Sequence, residues 1–251
     1  KTVTSRFLWG KSTAVYREGF GTTLLQEKDI DELKAVSFPG ISAEYSSDTL
    51  LWPMGDIIPD SITGIDRDAL AIVSDSLVEE DAYGGTAFAF MVLHRGIPVA
   101  EAYKPQFNKD TRFLSWSMAK SVTNALVGLM VGDNMLELDE NNLLPEWSGD
   151  SRSEITLNNL LHMQSGLEWN EDYGNRSDVT VMLHCEPDFA EYALSRPLEH
   201  DPGTYWYYSS GTTNIVSYIM RNKFDSDDDY YAFPHQELFY RIGITDAVFE
   251  V

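Results

Sequence analysis

The stretch from Ser117 to Val131 constrains the fold more than any other part of the chain. It is apolar almost all round, and a helix apolar on every side belongs in the interior of a domain. The pattern predicts a buried helix over these residues. At its head stands Ser117-Met118-Ala119-Lys120. Residues three apart share a helix face, so a hydroxyl at 117 and an amine at 120 lie side by side. Serine is a weak nucleophile until a neighbour takes its proton, and a lysine does so when burial lowers its pKa. The pattern alone is weak, because a serine-rich chain yields about one such pair by chance. A helix with a surface lysine is the competing reading.

A length of 251 residues with 43% apolar content suffices for one large domain or two small ones. The net charge of -22, from 40 acids against 18 bases, repels nucleic acid and anionic membranes. The densest acidic run, Asp225-Ser226-Asp227-Asp228-Asp229, lacks ligand spacing and reads as a solvated turn. Cys185 is the sole cysteine, so no internal disulfide forms. It reads as a buried structural thiol, since the adjacent His184 does not share its face. Cys-x-x-Cys and His-Glu-x-x-His are absent, which argues against a metal site. Gly19-Phe20-Gly21 lacks the third glycine of a phosphate loop, and no cofactor is implied. There is no apolar run of about 18 residues to span a membrane.

Residues 24–36 read as weakly helical and 37–64, rich in Ser, Pro, Gly and Asp, as irregular. Apolar positions 69, 70, 72, 73 and 77 predict a helix over 66–77. Two apolar runs, 86–94 and 97–103, flank Arg95-Gly96 as a hairpin. Thr156 caps a helix through Leu161, ended by Ser165-Gly166. Helices are also expected over 186–195 and 213–220, with a turn at Pro202-Gly203. This order predicts an α+β fold with a helical subdomain. Residues 1–64 form an N-terminal extension and 65–251 the main domain.

Two later segments give Ser117 its context. Ile155-Thr156-Leu157-Asn158-Asn159-Leu160-Leu161-His162-Met163-Gln164-Ser165-Gly166-Leu167 and Asp201-Pro202-Gly203-Thr204-Tyr205-Trp206-Tyr207-Tyr208-Ser209-Ser210-Gly211 follow the Ser-x-x-Lys in order. The three together resemble the class C β-lactamase-like serine hydrolases of the penicillin-binding-protein superfamily. The flavour is that of their esterase and 6-aminohexanoate-dimer hydrolase branch. The resemblance implies a β-lactamase-like fold, an antiparallel sheet flanked by helices. It implies Ser117 as the acylated nucleophile, Lys120 as its partner and Tyr208 as the residue that passes a proton to the leaving group. Ser210 would hydrogen-bond the lysine or the substrate. The substrate would be an ester or amide, with β-lactams and oligoamides included.

Val15-Tyr16-Arg17-Glu18-Gly19-Phe20-Gly21 and Trp52-Pro53-Met54-Gly55-Asp56 look like exported members of that branch, so a periplasmic or secreted location is expected. For Tyr208 the competing reading is one more member of an aromatic core with Trp206 and Tyr207. Trp169 and Tyr173 read equally as an aromatic lip over the substrate or as loop packing. His162 is expected to be satisfied locally at its helix end. The family's third motif, Lys/His-x-Gly on a central strand that also donates to the oxyanion hole, does not follow the tyrosine segment within residues 1–251. A C-terminal segment or second chain completing the sheet is therefore the expected partner, beside the small-molecule substrate. The alternative to an enzyme is a catalytically silent binding or scaffold protein.

Overall fold

The structure is a computed structural model that describes residues 1–7, 10–59, 63–79 and 82–250. Its elements run β1 (Thr2–Phe7), β2 (Gly10–Arg17), β3 (Gly21–Leu24), α1 (Ile30–Ala35), α2 (Arg67–Glu79), β4 (Ala89–His94), β5 (Ile97–Tyr103), α3 (Ala119–Gly132), α4 (Leu157–Leu161), α5 (Asp178–Cys185), α6 (Phe189–Leu194), α7 (Ser210–Arg221) and α8 (Asp227–Phe233). The chain divides into two compact units.

The first unit comprises Lys1–Ile41, Trp116–Leu238 and Val248–Val251. Its core joins Leu126 and Met130 of α3, Leu157 and Leu160 of α4, Met182 of α5 and Ile215 and Ile219 of α7 around Trp147. Trp147 is fully buried, and its indole N–H donates to the Leu194 carbonyl at 3.2 Å. Helix α3 buries Thr123, Leu126, Val127 and Met130, a stripe at i, i+3, i+4 and i+7. The helix expected to be buried all round is thus half-solvated. Ser121, Asn124, Ala125 and Gly128 face water, and their side chains are too small to expose much apolar area. α4 begins as expected at Thr156, whose side chain and that of Asn159 form a reciprocal capping box. It ends at His162, before Ser165-Gly166, because Met163 takes a left-handed φ of 57°.

Three features of this unit differ from expectation. Strands β1, β2 and β3 form an antiparallel sheet in that order, within the segment read as an N-terminal extension. Alternating Thr13 and Val15 point inward from β2. Cys185 is exposed, because it is the last residue of α5, a helix outside the expected 186–195 span. The acidic run opens α8: Ser226 caps it, Asp227, Asp228 and Asp229 occupy the first turn, and Asp227 pairs with Arg221. Negative charge there suits the helix dipole.

The second unit comprises Ser42–Ser115 and Phe239–Ala247. β4 and β5 form the expected hairpin, turning through Arg95 and Gly96 with φ of 51° and 79°. The register shifts between Val92 and Leu93, where Leu93 faces Pro98, a residue without an N–H for the ladder. α2 packs on this hairpin and buries Ser74 and Val78. The stripe expected at 69, 70, 72, 73 and 77 is displaced, since Ile72 is 70% exposed. Ser74 can sit inside because its hydroxyl donates to the Leu70 carbonyl. Met91 and Leu93 alternate onto the open face of β4. The segment before α2 is largely irregular, as its composition suggests, although residues 60–62 lie outside the described residues. Among the described residues no helix is long and apolar enough to cross a membrane.

Candidate active site

Ser117 lies in a single 3-10 turn, Trp116–Met118, that runs directly into α3. One residue earlier, Trp116 adopts φ of 46°. A left-handed non-glycine residue costs on the order of 1–2 kcal/mol, and such positions concentrate where a side chain must be aimed. Lys120, one turn on, donates from Nζ to Ser117 Oγ and to Ser210 Oγ, each at 3.2 Å. The same Nζ stands 4.9 Å from the ring centroid of Tyr208, within cation–π reach. The spacing of Ser117 and Lys120 therefore produces a real contact, and a residue 90 positions away completes it.

Tyr208 and Ser210 are delivered by the approach to α7. Ser209 is its N-cap and accepts from the Thr212 amide at 3.0 Å. Ser210 is the first helical residue and is 8% exposed. Tyr205, Trp206 and Tyr207 are 47%, 61% and 40% exposed, so these three are not a core cluster. His162 sits at its helix end with Nδ1 against the Asn158 carbonyl.

A carboxylate that the sequence reading passed over lies at the centre of the loop after α4. Glu171 accepts from the Ser210 hydroxyl at 2.5 Å and the Tyr173 hydroxyl at 3.1 Å through Oε1. Through Oε2 it accepts from the Ser210 amide at 2.9 Å and the Trp169 indole N–H at 2.5 Å. Trp169 is 8% exposed and packs edge-on to Tyr192. Of the two residues considered for a lip, only Tyr173, 55% exposed, reaches the surface. Its hydroxyl is turned into the cluster, and burial of that end, with the negative charge of Glu171 adding, holds its pKa above the usual phenol value. Trp169, Glu171 and Tyr173 are spaced by two, the period of residues that share a face of extended chain. That spacing was the available signal for Glu171.

Residues 75–251 match the family described as Beta-lactamase. The chain belongs to the β-lactamase family. Over 145 residues, 53% of its length, this β-lactamase-family chain is 27% identical to a 6-aminohexanoate-dimer hydrolase of Paenarthrobacter ureafaciens, and the match covers 37% of that protein. Among solved structures it is similar to a Bacillus anthracis protein assigned provisionally as a 6-aminohexanoate-dimer hydrolase. The TM-score there is 0.50 at 18% identity, over 82% of this chain and 54% of the other. A protein of Bacteroides dorei DSM 17855, assigned provisionally as a β-lactamase, gives a TM-score of 0.47 at 23% identity, over 62% and 46% of the two chains. The chain thus spans about half or less of the relatives it matches. The first structural likeness bears out the β-lactamase-like α+β fold.

Two glycines hold the site of this β-lactamase-family chain in shape. Gly166 has φ of 77°, and a Cβ there would stand 2.1 Å from the His200 carbonyl oxygen. Its own carbonyl accepts from the Glu199 and His200 amides, which pins the start of the Glu171 loop. Gly211 lies under the indole of Trp169, where a Cβ would meet ring carbons at 2.6 Å. Among the described residues no group of three His, Cys, Asp or Glu side chains is arranged to hold a metal ion.

Proposed function

We propose that the chain carries the acylating machinery of a serine hydrolase that cleaves an ester or amide, with Ser117 as nucleophile. The observation that carries this reading is the position of Lys120 Nζ, 3.2 Å from both Ser117 Oγ and Ser210 Oγ. With the amine neutral, an N–H goes to Ser210 and the lone pair faces the Ser117 hydroxyl. Ser117 then loses its proton to Lys120 as Oγ bonds to the substrate carbonyl carbon. The leaving amine or alcohol takes a proton from the Tyr208 hydroxyl, which regains one from the Lys120 ammonium, 4.9 Å from its ring centroid. Water, deprotonated by the same groups, releases the acid and restores Ser117. Family membership and the likeness to a 6-aminohexanoate-dimer hydrolase of Paenarthrobacter ureafaciens support this reading.

A polypeptide segment outside residues 1–251, bearing a Lys/His-x-Gly strand, completes the sheet in this proposal. Supporting it, β4 and β5 form a two-stranded sheet with Met91 and Leu93 exposed on one face, and isolated two-stranded sheets are marginal in water. The test is labelling of the complete protein with a fluorophosphonate probe, followed by peptide mass spectrometry. The adduct is expected on Ser117 and lost in Ser117→Ala. An adduct on another serine, or none, overturns the assignment. A fully active, monomeric 1–251 fragment would overturn the completing segment.

A further inference from the structure

We propose that Glu171 is a positioning residue for the serine–lysine pair and acts through the Ser210 hydroxyl. This inference rests on the acyl-enzyme reading above. A carboxylate offers about four acceptor sites, and Glu171 meets four donors: the Ser210 hydroxyl and amide, the Trp169 indole and the Tyr173 hydroxyl. With its capacity filled, Glu171 is neither a spare base nor a substrate ligand. Its work lies in what it imposes on its partners.

The imposed quantity is the direction of a hydrogen bond. Ser210 has one hydroxyl proton, and at 2.5 Å that proton belongs to Glu171. Only lone pairs remain on Ser210 Oγ to face Lys120 Nζ at 3.2 Å, so Ser210 must accept from the lysine. Without the carboxylate the hydroxyl can rotate and donate to the amine. It would then occupy the electron pair that has to receive the Ser117 proton. The chain Lys120 to Ser210 to Glu171 prevents that reversal. It also sets a negative charge one hydroxyl away from the ammonium that forms as Ser117 is deprotonated.

Local structure explains why the carboxylate stays in place. The Ser210 amide is one of the first-turn donors of α7 that have no partner inside the helix, and the positive end of the helix dipole favours an acceptor there. The Trp169 indole holds the other side from a buried position. Glu171 is therefore clamped between a helix terminus and a core aromatic, and Ser210 is the outlet toward the lysine.

The decisive variant is Glu171→Gln, which keeps the shape but brings an NH2 to a site where every partner donates. In the complete protein, fluorophosphonate labelling at neutral pH should slow on the order of 10- to 100-fold, the loss of one charge-assisted hydrogen bond. Removing the negative charge makes the ammonium less favourable, so the pH at which labelling rises should move down. Glu171→Asp, which retains the charge, should slow labelling and leave that pH in place. In a Ser210→Ala background Glu171→Gln should add less than about 2-fold, because the path through the hydroxyl is already cut. A neutron structure of Glu171→Gln should show the Ser210 hydroxyl turned to donate to Lys120 Nζ. Full additivity with Ser210→Ala, an unmoved pH profile, or a Ser210 proton still directed at residue 171 each overturn the inference. If the wild-type protein does not label at all, the acyl-enzyme reading fails, and the neutron structure alone still decides the role of Glu171.

Discussion

Replacing Gly211 by alanine tests whether the clamp behind Ser210 is as tight as its contacts imply. The new Cβ would lie 2.6 Å from Cη2 and Cζ3 of Trp169 and 3.0 Å from Cε3. That is about 1 Å inside the separation of roughly 3.5–4.0 Å that carbon atoms prefer. The indole has little room to retreat, since Trp169 is buried and its Nε1 is held 2.5 Å from Glu171. Overpacking of this kind costs roughly 1–3 kcal/mol. Alanine returns about 1 kcal/mol over glycine in a helix. The net loss of roughly 0–2 kcal/mol corresponds to a fall in Tm of up to about 8 °C for a unit of this size. The effect on chemistry should exceed the effect on stability. A shift of about 1 Å in the indole takes Nε1 beyond hydrogen-bond range of Glu171, and a misplacement of that size can cost about 100-fold in rate. Thermal melting and fluorophosphonate labelling of the complete protein read the two quantities. Were Tm to rise and labelling to stay unchanged, as for an ordinary helical glycine, the clamp would be refuted.

Lys120→Ala and Tyr208→Phe should each slow labelling or turnover by about two to four orders of magnitude, and the double variant should lose less than the product of the two. A Tyr208→Phe protein with near-normal turnover would return that ring to a packing role. Trp147→Ala should destabilise the first unit by roughly 3–5 kcal/mol, read by denaturant unfolding. The Leu194 carbonyl that it abandons keeps a second donor in Arg152 at 2.8 Å, so a larger loss would point to collapse around the cavity. Burial lowers the pKa of His235 in the folded protein. The unfolded chain therefore takes up this proton first, at a pH near 6.5. The associated stability is complete above that pH and is lost as pH falls through the folded pKa. Stability curves between about pH 7 and 5 should slope downward toward acid, and His235→Phe should flatten them; an unchanged slope would assign it to other groups.

What was legible in the sequence was local. The three-residue spacing of Ser117 and Lys120, the Thr156 cap and the Arg95-Gly96 turn each depend on neighbours a few positions apart, and all three appear in the structure. Ser210 was legible through a motif rather than through physics. Glu171 was not, because its meaning comes from Ser210, 39 residues away, and only its two-residue spacing from Trp169 and Tyr173 sets it apart from Glu168 or Asp172. Burial was misread for the same reason. Cys185 and the outer face of α3 are apolar enough to hide, yet which face of a helix is covered depends on what packs against it. Trp169 was the converse case, a loop aromatic whose ring is drawn into the core.

Four donors on one carboxylate also limit how this sequence can drift. An apolar residue at 171 orphans the Ser210 amide and the Trp169 indole together, and loss of the hydroxyl at 210 strips Glu171 of one of its two shortest partners. Neither position can wander alone, so lineages that leave this arrangement should change 169, 171 and 210 in concert. Tyr173 is different: it is half exposed, and its bond to Glu171 is the longest of the four. It is the member of the group that can vary by itself without disturbing the Lys120 contacts to Ser117 and Ser210.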